Sequence, residues 1–128
     1  MLAQVSIEFV TLFILLISIF SLVFYYNLEY FKDINERKIL YEAKIIADSI
    51  AKEIDIAANI GNGYSRVFYV KNKILGYIDY DIIYSPYTVI IKWNNNYVES
   101  VTSVKEIVGK IEKGKNVIKN IDGVIYVN

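Results

Sequence analysis

The sequence contains no cysteine and no histidine. The lack of cysteine excludes disulfides, Cys-type zinc sites and thiol nucleophiles. The lack of histidine removes the commonest general base, the Ser-His triad and most transition-metal sites. A formal net charge of zero argues against nucleic acid as a partner, because phosphate neutralisation needs clustered Lys and Arg. We therefore expect no enzyme activity, no metal and no cofactor, and we look for a structural or binding role.

Charge is also missing from one long stretch near the N-terminus. No charged residue occurs from Phe9 to Tyr26. As a helix this run would be about 27 Å long at 1.5 Å per residue, which is close to the thickness of a hydrocarbon core. A buried core helix is the poorer interpretation, because so small a domain cannot surround a helix that is apolar on all sides. The run predicts a helix that enters lipid or packs against copies of itself.

The residues that flank this run argue in two directions. No basic residue precedes Phe9, and Phe24, Tyr25 and Tyr26 close the run, so a secretory signal cleaved after it is a poor match. Basic residues follow the run at Lys32, Arg37 and Lys38. Taken alone, the positive-inside rule would place the C-terminal part in the cytoplasm.

The helical pattern continues past Tyr26 without glycine or proline until Gly61. Apolar residues recur at steps of three and four, which predicts one buried stripe. These residues are Ile39, Ala43, Ile46, Ile50, Ile54 and Ala57. Charged residues between them, among them Asp48 and Asp55, predict a solvated face. We expect one helix from about Val5 to Asn59, apolar all round in its first half and amphipathic in its second.

After Gly61 the period changes to two, which indicates strands. Strands are predicted at residues 64–71, 77–84, 87–93, 97–102, 116–120 and 124–128, with a turn at Asn94–Asn96. Residues 103–114 are ambiguous, either irregular or one short helix weakened by Gly109. The expected fold class is α+β, with a long N-terminal helix packed on a small antiparallel β-sheet.

Two acidic residues in this region raise the question of a cation site. Asp79 and Asp81 would lie on one face of a predicted strand. An exposed polar face is the better interpretation, because no third ligand or base is evident.

The N-terminus carries a short motif, "AQVSIEF" at Ala3–Phe9, directly before the apolar run. In this combination it resembles the class III signal peptide of archaeal type IV pilin-like proteins. The resemblance implies that a prepilin peptidase cuts between Ala3 and Gln4. Residues 1–3 would then be a short leader and residues 4–26 an apolar transmembrane and filament-core helix. Residues 27–60 would be its amphipathic continuation, and residues 61–128 an antiparallel head domain.

The resemblance also implies roles for individual residues. Gln4, Ser6 and Glu8 would act in assembly, with Glu8 of an incoming subunit pairing with the mature α-amine of a neighbour. The filament core would contain Phe9, Leu12, Phe13, Leu16, Phe20 and Phe24. The expected partners are identical or related pilin subunits, the prepilin peptidase and the membrane platform for pilus assembly. The precursor would lie in the cell membrane, and the processed chain in an extracellular pilus. The resemblance also allows a role in surface adhesion.

One alternative remains open at this point. The chain could be a single-pass membrane protein whose small β-domain binds a partner at the cell surface without polymerising. That alternative needs no cleavage at Ala3, and Glu8 would then be incidental.

Overall fold

A computed structural model describes residues 2–128 of the protein, with side chains described from Ser6 onward. The described chain is one helix followed by seven strands, so the α+β class predicted from the sequence is confirmed. The elements are α1 (Leu2–Ile60), β1 (Ser65–Val70), β2 (Asp81–Ser85), β3 (Thr88–Trp93), β4 (Asn96–Val101), β5 (Ile107–Gly109), β6 (Gly114–Ile121) and β7 (Val124–Val127).

The chain divides into two compact units, Met1–Arg37 and Lys38–Asn128. The described part of the first unit is entirely helical, and its side chains from Ser6 to Asp33 are exposed. The second unit contains the last part of α1 and all seven strands.

The second unit is built around the apolar stripe of α1. Ala43, Ile50, Ile54 and Ala57 are almost completely buried, as the four-three spacing predicted, and Ile39 packs at the margin. They share one hydrophobic core with alternate residues of the strands. Strand residues of this core include Phe68, Val89, Ile91, Trp93, Ile118 and Ile125.

The strands form two sheets rather than the single antiparallel sheet that we expected. A three-stranded antiparallel sheet has the order β2-β3-β4, and a four-stranded sheet has the order β1-β6-β7-β5. β5 runs parallel to β7, with Ile107 opposite Ile125. The short helix considered for residues 103–114 is therefore wrong. Gly109 explains why, because its φ of 101° is outside the helical region and a β-carbon at this position would overlap the Val127 carbonyl.

The strand predicted at 77–84 begins later, at Asp81. The Asp79 carboxylate accepts a hydrogen bond from the Tyr80 amide at 3.0 Å, and this local bond favours a turn over an extended strand. The other turns occur where the sequence predicted them. Pro86 and Tyr87 connect β2 to β3, and Asn94, at a φ of 47°, connects β3 to β4.

Two carboxylates assigned to the solvated helix face also attach α1 to β4 and the residues after it. Asp48 accepts a hydrogen bond from the Ser100 hydroxyl at 2.6 Å. Asp55 accepts bonds from the Thr102 hydroxyl at 2.7 Å and from the amide and hydroxyl of Ser103 at 2.8 and 2.7 Å. Asp48 is exposed, as the solvated-face prediction expects, and Asp55 is half-buried. What the sequence did not predict is their contact with short hydroxyl side chains of β4 and of the residues after it.

Candidate functional site

The candidate site is the apolar part of α1. One helix, Ser6–Ile60 among the described residues, is long and apolar enough to cross a membrane by length and composition, and none of its apolar window is buried. The exposed fraction is 68% for Phe9, 65% for Leu16 and 57% for Phe24. Apolar surface on this scale is typical of a segment that is covered by lipid or by another protein chain.

The six residues predicted for a filament core are all exposed and share one face of the helix. Steps of three, one, three, four and four residues keep them within a sector of about 120°. They are Phe9, Leu12, Phe13, Leu16, Phe20 and Phe24. The Phe9 and Phe13 rings stack at 6.3 Å, and the Phe20 and Phe24 rings at 6.5 Å. This face therefore offers two stacked aromatic pairs for packing.

Two polar side chains of the run, and Asn27 just after it, form hydrogen bonds inside the helix. The hydroxyls of Thr11 and Ser18 donate to carbonyls four residues earlier at 2.9 and 2.8 Å, and the Asn27 amide does the same at 2.8 Å. Such bonds remove the cost of taking a polar group out of water. They suit a helix whose surroundings contain no water.

Glu8 and Ser6 are exposed on the first turns that have described side chains. Among the residues that the structure describes, no Lys or Arg forms an ion pair with Glu8 within 4.0 Å. Ala3 and Gln4 lie in α1 by backbone, but their side chains are outside the described set, as is Met1 of the predicted leader. The processing role of Ala3 and Gln4 stays a prediction.

The acidic pair considered for a cation is separated by the start of β2. Asp79 lies in the turn before the strand and forms an ion pair with Lys113, while Asp81 lies in β2. The Lys113 ammonium and the Tyr80 amide hold the pKa of Asp79 below its usual value. Within residues 2–128, no three Asp or Glu side chains cluster closely enough to hold a metal ion.

Tyr80 next to this pair is a buried aromatic that the sequence did not single out. Its hydroxyl donates to the Lys71 carbonyl, and the Lys113 ammonium lies 4.9 Å above its ring. Burial, with the nearby charge of Asp79, raises the pKa of Tyr80 to about 12. Its role is to hold the turn before β2.

Comparison with known proteins adds no identification. No protein family, no curated protein and no solved structure matches this chain. The fold and the exposed helix define a class of layout only: a long N-terminal apolar helix, whose second half packs on a small β-domain, as in pilin-like proteins.

Proposed function

We propose that the protein is a structural subunit of an archaeal type IV-like pilus, processed before Gln4 and polymerised through its N-terminal helix. The observation that carries the proposal is the apolar, fully exposed first part of α1 with a single carboxylate, Glu8, at its start. A helix of this kind suits two environments in succession, the membrane before assembly and the packed helices of a filament core afterwards.

Glu8 has a physical reason to take part in assembly. A carboxylate placed among packed apolar helices costs several kcal/mol unless it gains a partner. Cleavage before Gln4 would create an α-amine on each subunit. Two unit charges about 4 Å apart interact by roughly 4 kcal/mol at an effective dielectric near 20. Desolvation offsets much of that energy, so the pair between Glu8 and a neighbour's amine would mainly set the register of the helices.

The first test is mass spectrometry of the intact chain and of its N-terminal peptide, using protein from native membranes or shed filaments. A mature chain that begins at Gln4 is the expected result, and its mass also reports whether Gln4 has cyclised. A chain that retains residues 1–3 in isolated material would contradict the processing that the proposal needs.

The second test concerns assembly. In cells that make the filament, Glu8→Ala should abolish shed filaments while the chain still accumulates in the membrane. Glu36→Ala is the matched control, because it removes an exposed carboxylate from α1 outside the apolar run. Normal filaments from the Glu8→Ala cells would overturn the assembly role of Glu8.

A membrane-anchored surface protein that does not polymerise is the second candidate. The exposed apolar run of α1 favours it, because a helix of that length and composition can anchor a chain in a membrane without polymerisation. Under this candidate the chain stays in the membrane uncleaved, and Glu8→Ala changes nothing.

A further inference from the structure

An open cleft of about 840 Å³ lies between the edges of the two sheets. One wall is β2, the outer strand of the three-stranded sheet. The other wall is β5, the outer strand of the four-stranded sheet, with the residues that follow it up to Lys113. Within residues 2–128 no strand pairing joins β2 to β5. The cleft therefore separates two sheet edges that have no partner strand.

The pairing of β2 with β3 shows which backbone groups face this cleft. Ser85 and Thr88 flank the two-residue turn, so they form a hydrogen-bonded pair. Hydrogen-bonded and non-bonded pairs alternate along an antiparallel ladder. Ile83 therefore bonds to β3, whereas the N–H and C=O groups of Ile82 and Tyr84 point away from β3 into the cleft.

The second hairpin supports this assignment independently. Trp93 and Asn96 flank its two-residue turn, so they form a hydrogen-bonded pair. By alternation the N–H and C=O groups of Ile91 bond to β4, and those of Ile90 point toward β2. By the same alternation the Glu99 carbonyl in β4 points away from β3. That carbonyl does accept a hydrogen bond from outside the sheet, from the Lys44 ammonium at 2.8 Å.

The outer edge of β2 differs from that of β4 in having no cover. On β4, α1 supplies Lys44 to a free carbonyl and Asp48 to the Ser100 hydroxyl. On β2, the backbone groups of Ile82 and Tyr84 have no hydrogen-bond partner among the described residues. An uncovered strand edge pairs readily with another extended chain.

Side-chain contacts connect the two walls of the cleft at both ends. The Tyr84 hydroxyl donates to the Val104 carbonyl before β5, and Lys113 after β5 pairs with Asp79 before β2. These contacts arrange β2 and the β5 segment in opposite directions, because the end of each lies near the beginning of the other. They fix the cleft along a stretch of about 17 Å, the length of a five-residue strand.

The walls of the cleft are apolar with charges of both signs. Its aliphatic residues are Ile82, Ile83, Ile107 and Ile111, and its charged residues are Asp81, Lys110, Glu112 and Lys113. Two acidic and two basic groups leave no excess charge to attract a polyanion. The dominant chemical feature is thus the row of unpaired backbone groups with apolar surface beside it.

From this arrangement we propose that the cleft binds an extended segment of a partner polypeptide, which adds to the free edge of β2 as a further antiparallel or parallel strand. Main-chain hydrogen bonds to Ile82 and Tyr84 supply the affinity, and alternate apolar side chains of the segment contact the aliphatic walls. The proposal concerns the second unit alone and does not depend on polymerisation through α1.

The test is amide hydrogen exchange measured by NMR on the full-length chain in detergent micelles. The probe is the capped peptide Lys-Thr-Val-Thr-Val-Thr-Lys. Without it, the amides of Ile82 and Tyr84 should exchange fast while the amide of Ile83 is protected by β3. Saturating peptide should slow exchange at Ile82 and Tyr84 by roughly tenfold or more and leave Ile83 unchanged.

Two controls separate strand addition from other binding. A peptide with proline in place of both valines and of the threonine between them lacks central N–H groups on both edges, so it cannot form the ladder and should give no protection. Ile82→Pro removes one N–H that faces the cleft and should weaken binding of the probe. Tyr97→Pro is the matched variant, because alternation also turns the Tyr97 N–H away from the ladder, but on the opposite edge of the sheet.

Three results would overturn the proposal. The first is an absence of protection at millimolar probe, since main-chain pairing depends little on sequence. The second is equal protection by the proline peptide, which would indicate side-chain adsorption only. The third is protection of Ile82 and Tyr84 without any probe that grows with protein concentration, which would identify a second copy of the chain as the occupant.

Discussion

The side-chain amide of Asn120 in β6 donates a hydrogen bond of 2.9 Å to the Ala57 carbonyl in the last turn of α1. Asn120 is 2% exposed, so this bond satisfies a helix-end carbonyl where water does not reach. The side-chain oxygen of Asn120 also accepts a hydrogen bond of 3.0 Å from the Gly123 amide. One buried amide thus fixes both the end of the helix and the turn between β6 and β7.

The first prediction is that Asn120→Ala destabilises the second unit by about 2 kcal/mol, because it removes the bond to the buried Ala57 carbonyl, which then keeps only the 3.3 Å bond from the Gly61 amide, and the bond to the Gly123 amide. Urea unfolding of the full-length chain in detergent, followed by the fluorescence of Trp93, measures the loss. Trp93 is the only tryptophan and is buried in the core, so it reports on this unit. Asn62→Ala is the control, since the Asn62 side chain is exposed and its oxygen accepts one bond from the backbone amide of Asp122.

The second prediction concerns Asp55. Burial raises the pKa of its carboxyl, but hydrogen bonds from Thr102 and Ser103 outweigh burial, and the net pKa is lowered. A lowered pKa in the folded state contributes stability above the unfolded value near 4, and this contribution is lost as the pH falls through the folded value. Asp55→Asn should cost about 1 kcal/mol at pH 7 and less at pH 2, because protonation of Asp55 makes the wild-type bonds neutral, as they already are in the variant.

Urea unfolding at the two pH values measures this difference. Asp81→Asn on β2 is the control, because that carboxylate is exposed and accepts no hydrogen bond from the described residues. Equal costs of Asp55→Asn at pH 7 and pH 2 would show that the charge of Asp55 does not strengthen its bonds.

The contacts of α1 with the strands illustrate what the sequence could and could not predict. The stripe from Ile39 to Ala57 was predictable because burial of a helix follows a local period of 3.6. The contacts of Asp48, Asp55 and Asn120 were not, because each joins residues more than 45 positions apart. Nothing in the local pattern distinguishes a solvated aspartate from one that receives a hydroxyl from another strand.

The sheets show a similar limit. The hairpin turns at Pro86 and Asn94 were readable from residues that favour turns. The division into two sheets and the parallel pairing of Ile107 with Ile125 depend on long-range packing and leave no local signal. In the candidate site, the apolar run from Phe9 was evident from composition alone, whereas the processing and assembly roles of Gln4, Ser6 and Glu8 rest on resemblance and stay predictions.

The third prediction concerns alkaline pH. Burial, with the charge of Asp79, raises the pKa of Tyr80 to about 12, so the folded protein holds this proton more tightly than the unfolded chain does. The contribution of Tyr80 to the free energy of unfolding is therefore fully present below about pH 10. It falls by roughly 1.4 kcal/mol per pH unit as the pH rises toward 12. Burial also raises the pKa of Tyr84, which adds loss in the same direction.

Urea unfolding of the wild-type chain and of Tyr80→Phe at pH 9 and pH 11 isolates this contribution. Tyr80→Phe should be less stable at pH 9, because it loses the bond to the Lys71 carbonyl, but it should lose less stability between the two pH values. Tyr97→Phe, at an exposed tyrosine, should keep the wild-type slope. The same slope in Tyr80→Phe and wild type would show that Tyr80 ionises as easily in the folded state as in the unfolded one.

The fourth prediction is that Gly109→Ala disrupts β5 through a direct clash. A β-carbon at Gly109 would lie 1.9 Å from the Val127 carbonyl oxygen, and the φ of 101° is strained for any other residue. Both backbones belong to a paired ladder, so neither can shift without breaking it. We expect a loss of more than about 3 kcal/mol in the free energy of unfolding, measured with urea.

Gly76→Ala is the matched control, because its φ is 81° but nothing lies within 4 Å of an added β-carbon. It carries the backbone strain alone, so its loss should be about 1–2 kcal/mol. Similar losses for the two variants would mean that Gly109 does not lie against Val127, and would contradict the parallel pairing of β5 with β7.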